Sequence, residues 1–169
     1  MADKYQTLQG GKGKLIEATV ASTGVAEAGD VVALDASGKL DASVLPVGVG
    51  PDVKIVEASE ALTAGDYVNI FDNAGTPNVR LADNSNGREA HGYVLASFAI
   101  TENAQVFFEG PNTAASSALA GQRAYLGTAG DIITTPLDPA TQTGNIHQLL
   151  GSYVDVNEIN TDIDDCIVL

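Results

Sequence analysis

Apolar residues alternate with other residues along short segments of the chain, and an Ala-Gly pair introduces three of these segments. The clearest is Leu62-Thr63-Ala64-Gly65-Asp66-Tyr67-Val68-Asn69-Ile70. Ala28-Gly29-Asp30-Val31-Val32-Ala33-Leu34 is a second, and Leu119-Ala120-Gly121-Gln122-Arg123-Ala124-Tyr125-Leu126 a third. A period of two sends successive side chains to opposite faces, so each segment is predicted to be a tight turn feeding a half-buried strand. Gly29, Gly65 and Gly121 are the structural turn glycines of this pattern, with positive φ expected at Gly65 and Gly121.

A second glycine follows each pair at offsets of 9, 10 and 9 residues: Gly38, Gly75 and Gly130. Each precedes another apolar run, which predicts a returning strand. A third landmark follows in Gly48-Val49, Gly92-Tyr93-Val94 and Gly151 ahead of Tyr153-Val154. The last two copies then close with Val106-Phe107-Phe108 and with Cys166-Ile167-Val168-Leu169. Such internal similarity is the mark of duplicated modules, the first of them shortened. The strands are too closely spaced for the helical crossovers of βαβ units. The predicted fold class is all-β: repeated short β-modules forming a small barrel or sandwich, with an extended N-terminal arm.

Three domains are expected. Residues 1–14 form the arm, 15–110 a β domain holding modules one and two, and 111–169 a C-terminal β module. The arm is polar, with Gln9-Gly10-Gly11-Lys12-Gly13 at its centre, and shows no periodicity that would bury a face. Ordering thirteen such residues costs on the order of 10–25 kcal/mol, so an outside contact is expected to hold them. Leu15-Ile16-Glu17-Ala18-Thr19-Val20 is predicted to be an entry strand, with module one following it from Val25 to Val56. The prolines of Leu45-Pro46-Val47-Gly48-Val49-Gly50-Pro51 confine that stretch to a loop or an edge. Asp83-Asn84-Ser85-Asn86-Gly87-Arg88 and residues 136–144 are polar loops, and residues 109–117 read as a linker. A short helix over residues 114–119 would be too brief to stand alone.

Charge sharpens this picture. The chain has 169 residues, with 22 acidic against 8 basic side chains and a net charge of −14. The first fourteen residues carry +2, so the rest carries −16, and no Lys or Arg follows Arg123. An acidic body repels nucleic acid and anionic membranes, so neither is expected as a partner, and the charge also favours solubility. With no Trp and 5% aromatics, the core must come from Val, Ile, Leu and Ala. The lone Cys166 has no disulfide partner within the chain and sits in an apolar run, as a buried, inert thiol would. No apolar stretch approaches a membrane span of ~20 residues, and no secretory h-region opens the sequence. Synthesis in a host cytoplasm is therefore expected.

Candidate chemistry is sparse. Gly10-Gly11-Lys12-Gly13-Lys14 lacks the order of a phosphate-binding loop, and neither a dinucleotide fingerprint nor a Gly-x-Ser-x-Gly elbow occurs. His91 and His147 lie near Gly92 and Gly151, in similar places of modules two and three, which reads as inherited structure. One cysteine does not make a zinc site. Asp162, Asp164 and Asp165 lack the spacing of a Ca²⁺ loop and read as a solvated acidic turn. Paired carboxylates also serve glycoside hydrolysis, but chance adjacency is expected among 22 acids. No catalytic residue, cofactor or metal is assigned, and the chain is not expected to be an enzyme.

The segment from Ala28-Gly29-Asp30 to Ser37-Gly38-Lys39-Leu40 resembles the opening of tailed-phage capsid decoration, or cement, proteins. Val106-Phe107-Phe108-Glu109-Gly110, followed by Ala120-Gly121 and Tyr125-Leu126, is similar to the middle of phage head decoration and head-fibre proteins. Thr143-Gly144-Asn145-Ile146-His147-Gln148-Leu149-Leu150-Gly151 resembles their next segment. The likeness covers most of residues 25–169 and least of the arm. It implies a structural virion protein on the capsid exterior, bound in many copies to the major capsid protein and stabilising the shell. It also implies sister subunits, as a dimer or trimer. A head-fibre or tail-fibre component or adhesin is the alternative, and a polysaccharide-active enzyme the remote one. The arm's charge and composition make Lys4, Tyr5, Lys12 and Lys14 the candidate contacts to capsid or sister subunit.

Overall fold

The computed structural model describes residues 4–45 and 52–169. The predicted loop at 46–51, with the Gly48-Val49 landmark, lies outside the described residues. Two compact units are present, Met1–Gly50 and Pro51–Leu169.

In the first unit, β1 (Lys4–Gln9) and β2 (Lys12–Glu17) form a two-stranded antiparallel ribbon. Gly10 and Gly11 close it with φ of 58° and 77°. Positive φ at both central residues is the turn whose twist suits a two-residue hairpin. The arm is thus a ribbon that runs into the first module. Thr19 bridges Val32 in parallel, its amide donating to Val31 O and its carbonyl accepting from Ala33 N. Glu27-Ala28-Gly29-Asp30 is a turn closed by Asp30 N to Glu27 O at 3.0 Å. Ala28 at φ −62°, ψ 118° and Gly29 at φ 94° give it type II geometry. Among the described residues 4–45, no side chain is buried.

The second unit opens with a closed five-stranded barrel. Its strands are β3 (Val53–Ala58), β4 (Tyr67–Asn73), β5 (Thr76–Leu81), β6 (Gly92–Tyr93) and β7 (Asn103–Phe107), in the order β3-β5-β4-β6-β7. β3 pairs antiparallel with β7 and, over Glu57 and Ala58, parallel with β5. The next strands are β8 (Gly110–Asn112), β9 (Arg123–Leu126) and β10 (Ile132–Ile133). They are followed by β11 (Ile146–His147), β12 (Leu149–Asp155), β13 (Glu158–Thr161) and β14 (Ile167–Val168). Five of these form an open sheet of order β10-β9-β12-β13-β8, and β11 pairs with β14.

The two sheets are copies of one plan. Reading β5-β4-β6-β7-β3 against β10-β9-β12-β13-β8 puts every strand in the same place. The hydrogen bonds agree. Gly65 N donates to Val94 O and Gly121 N to Tyr153 O, both at 2.8 Å, and Asp66 N donates to Thr63 O as Gln122 N does to Leu119 O, both at 3.1 Å. Asp66 Oδ2 accepts from Thr63 N and Gln122 Oε1 from Leu119 N. Both returning hairpins turn on Ala-Gly pairs, Ala74-Gly75 and Ala129-Gly130, with positive φ throughout. One expectation changes. The strand equivalent to Val106-Phe107 is β13, whereas the Cys166 run forms β14 and pairs with β11. Residues 114–119 form no helix.

Neighbouring residues split between two cores, as period two requires. Val68 and Val94 fill the barrel with Val56, Val79 and Val106. Tyr67 and Tyr93 point the other way, into a core shared with Leu126, Leu150, Tyr153 and Ile159 of the second sheet. Burial pushes the Tyr67 and Tyr93 phenols up to about 12. Below pH 10 both phenols are protonated in the folded and unfolded chain alike. Between about pH 10 and 12 the unfolded chain releases the protons that the fold retains, so stability falls across that window. An ultraviolet titration is expected to show phenol ionising near pH 12, in an amplitude that shrinks in Tyr67→Phe and in Tyr93→Phe.

Candidate interaction surfaces

Lys4, Tyr5, Lys12 and Lys14 all lie on the ribbon. Alternation places Tyr5, Thr7, Lys12, Lys14 and Ile16 on one face and Lys4, Leu8, Leu15 and Glu17 on the other. The first face turns toward module one. Tyr5 Oη accepts from Val31 N at 3.3 Å and donates to Asp30 Oδ1 at 3.5 Å, and Asp30 Oδ2 accepts from Thr19 Oγ1. Tyr5 is therefore an internal clamp within its unit as well as a ribbon residue. Leu8 and Leu15, 76% and 68% exposed, give the opposite face an apolar strip. The unit also exposes Val25, Val31, Val32, Leu34 and Leu40.

Gly29, Gly65 and Gly121 have φ of 94°, 97° and 87° and sit in the three Ala-Gly turns. Their surroundings differ. A Cβ on Gly65 would overlap the carbonyl of Ala114, whereas Gly29 and Gly121 face open space.

The second unit carries an acidic groove of about 980 Å³ whose lining includes Glu89, His91, Glu109, Asp162, Asp164 and Asp165. His91 Nδ1 accepts from Ile70 N at 2.9 Å, which leaves Nε2–H to face Glu89 Oε1 at 3.2 Å. Cys166 Sγ donates to Glu89 Oε2 at 3.1 Å. The bonds from Cys166 and His91 hold the Glu89 carboxyl below its usual range, and the carboxylate in turn pushes the Cys166 thiol up. A glycosidase acid needs the opposite shift, so Glu89 is unsuited to that role. Cys166 is half-buried and remains a thiol at neutral pH. Among the described residues, no three His, Cys, Asp or Glu side chains gather to hold a metal ion.

The histidines do not correspond. His91 lies beside β6, whereas His147 sits in β11, its ring tilted by 32° against that of Tyr125 with centroids 4.9 Å apart and its Nδ1 buried without a partner. Sequence reasoning missed the buried polar residues. Gln148 Oε1 accepts from Ala90 N at 2.7 Å while Nε2 donates to Ala90 O and Asp164 O, each at 3.0 Å. Asn112 Nδ2 donates to Gly65 O and Asn84 Nδ2 to Leu126 O. These amides tie the second sheet to the barrel. Among the described residues, no helix is long and apolar enough to cross a membrane.

No family model and no curated protein matches the chain. Among solved structures it is similar to the head fiber gp8.5 N base in bacteriophage phi29. The identity is 14% and the TM-score 0.44, over 66% of this chain and 92% of that one.

Proposed function

We propose that the protein is a structural component of a tailed-phage virion, a decoration protein that binds the capsid exterior in many copies and stabilises the shell. It is a scaffold rather than an enzyme. The observation that carries the reading is the sequence resemblance across residues 25–169, whose quoted passages supply the Ala-Gly turns, the β7–β8 connection and Gln148. Its partners are the major capsid protein and sister subunits. The acidic body disfavours nucleic acid and anionic membranes. A head-fibre component is the second reading, because the Val106-to-Leu126 passage is shared with head-fibre proteins.

In this account the ribbon is the foothold. Its three lysines and Glu17 leave it at +2 against an acidic body. Exposed ion pairs contribute only about 0–1 kcal/mol each, so backbone pairing and the Leu8–Leu15 strip provide the main anchor. Weak footholds repeated on a symmetric shell act together. Deleting residues 1–17 is expected to leave the second unit folded but to abolish saturable binding to undecorated shells, measured by co-sedimentation. Wild-type occupancy by the truncated chain would rule the ribbon out as the anchor.

A further inference from the structure

The barrel and the open sheet share one plan, but one contact is missing from the second. In the barrel, β3 leaves β7 and closes against β5 through Glu57↔Asn78 and Ala58↔Val79. In the open sheet, β8 pairs with β13, and no described strand reaches the outer edge of β10. A groove of about 580 Å³ lies beside that edge, lined by residues including Ser116, Ile132, Ile133, Thr134, Leu137 and Tyr153. Gly127 N donates to Asp131 O at 2.8 Å, so by alternation Tyr125 and Ile133 bond each other. Ile132 and Thr134 therefore turn their N–H and C=O groups outward, where no described group meets them.

β1 offers a matching edge. Gln9 and Lys12 flank the two-residue turn and bond each other, as do Thr7 with Lys14 and Tyr5 with Ile16. The backbone groups of Lys4, Gln6 and Leu8 then point away from β2. These residues are exposed, and their N–H and C=O groups have no described partner. On the β2 side the same alternation turns Thr19 outward, and module one already pairs with it there. The open side of the ribbon is thus β1, and an open strand edge is a template for another strand. Charge also matches. Residues 4–17 carry +2, while residues 124–169 hold seven acids and no Lys or Arg. Two of those acids, Asp131 and Asp138, flank the free edge of β10.

We propose that β1 of one copy adds antiparallel to the free edge of β10 of a second copy, with Leu8 opposite Ile132 and Gln6 opposite Thr134. This register sets outward backbone groups against outward backbone groups, in the more stable of the two strand orientations. It puts Leu8, 76% exposed in the single chain, beside Ile132 on the side where Ile132 and Tyr153 meet the core. Thr7 falls opposite Ile133. Continuing the register carries Lys4 toward Asp138 and the Gln9–Lys12 end of the ribbon toward Asp131. The contact is head-to-tail, so its repetition closes a ring or extends a filament. It requires no shell, so its failure would leave the capsid reading standing.

The test uses the full chain in solution. Thr134 is exposed and lies outside the β9–β10 pairing, so a proline there blocks only the outer edge. Sedimentation velocity over a concentration series up to about 1 mM is expected to show self-association of the wild type, with Thr134→Pro associating at least about tenfold more weakly. A cross-link reads the same contact even if Thr134→Pro disturbs folding. Thr7→Cys chains and Ile133→Cys chains, each also carrying Cys166→Ser, are mixed in equal amounts and mildly oxidised. In the proposed register residues 7 and 133 form a pair with Cα atoms about 4.5 Å apart, within disulfide reach. The mixed disulfide is expected to exceed the half share that random collision gives. A wild type monomeric at every concentration, a mixed disulfide at or below that share, or unchanged association of folded Thr134→Pro would each overturn the proposal.

Discussion

Gly65→Ala is expected to destabilise the second unit by about 3–5 kcal/mol, while Gly121→Ala costs only about 1–2 kcal/mol. The two glycines hold the same place in their modules, have φ of 97° and 87°, and make the same hydrogen bond across the turn. Any side chain therefore meets the same backbone penalty at both. The difference lies above the turn. A methyl on Gly65 would overlap the Ala114 carbonyl, in the segment that Asn112 ties to Gly65 O, whereas Gly121 faces open space. Relieving the clash would pull residues 112–115 off the barrel and expose Ala115. Urea unfolding of both variants, followed by circular dichroism, measures the gap. Equal losses would mean that the two turns differ in nothing but position.

Gln148→Ala is expected to cost about 3–5 kcal/mol, because it leaves the buried Ala90 N–H and C=O both unpaired at about 1–3 kcal/mol each. The carboxamide serves Ala90 as a neighbouring strand would, accepting and donating at once. Its second donation, to Asp164 O, fixes the segment leading to β14. Gln148→Glu keeps the acceptor but loses the donor while ionised. Burial raises the folded pKa of that carboxyl above its unfolded value, so stability is retained at low pH and lost as pH rises through the folded pKa. Thermal unfolding at pH 4 and pH 8 separates the two variants. A Gln148→Glu protein equally stable at both would show that the donor is dispensable.

The alternating segments and their Ala-Gly introductions were legible in the sequence because strand periodicity and turn chemistry are local. The ribbon was not, although Gly10-Gly11 sits where a hairpin turn belongs. Its flanks, Lys4-Tyr5-Gln6-Thr7 and Lys12-Gly13-Lys14, bury no face, so no apolar alternation marks them. The strand closing the third module was misplaced for a related reason. Cys166-Ile167-Val168 is the more apolar run, yet Glu158-Ile159-Asn160-Thr161 occupies the equivalent position, because one inward Ile159 and a buried Thr161 suffice there. Thr161 Oγ1 meets Tyr67 Oη at 3.0 Å. Gln148, Asn112 and Asn84 could not be singled out, since a buried amide looks like a surface one until its backbone partners are known. Lys14-Leu15-Ile16-Glu17-Ala18 is also similar to Lys54-Ile55-Val56-Glu57-Ala58, a likeness that gained meaning only once β3 was seen to close a barrel.

Electron cryomicroscopy of the parent virions tests the central claim most directly. The account predicts density on the outer capsid surface, repeated over the lattice, into which the second unit fits as a body, with the ribbon at the shell or at a sister copy. Density confined to the tail, or a shell with no place for this chain, would contradict it.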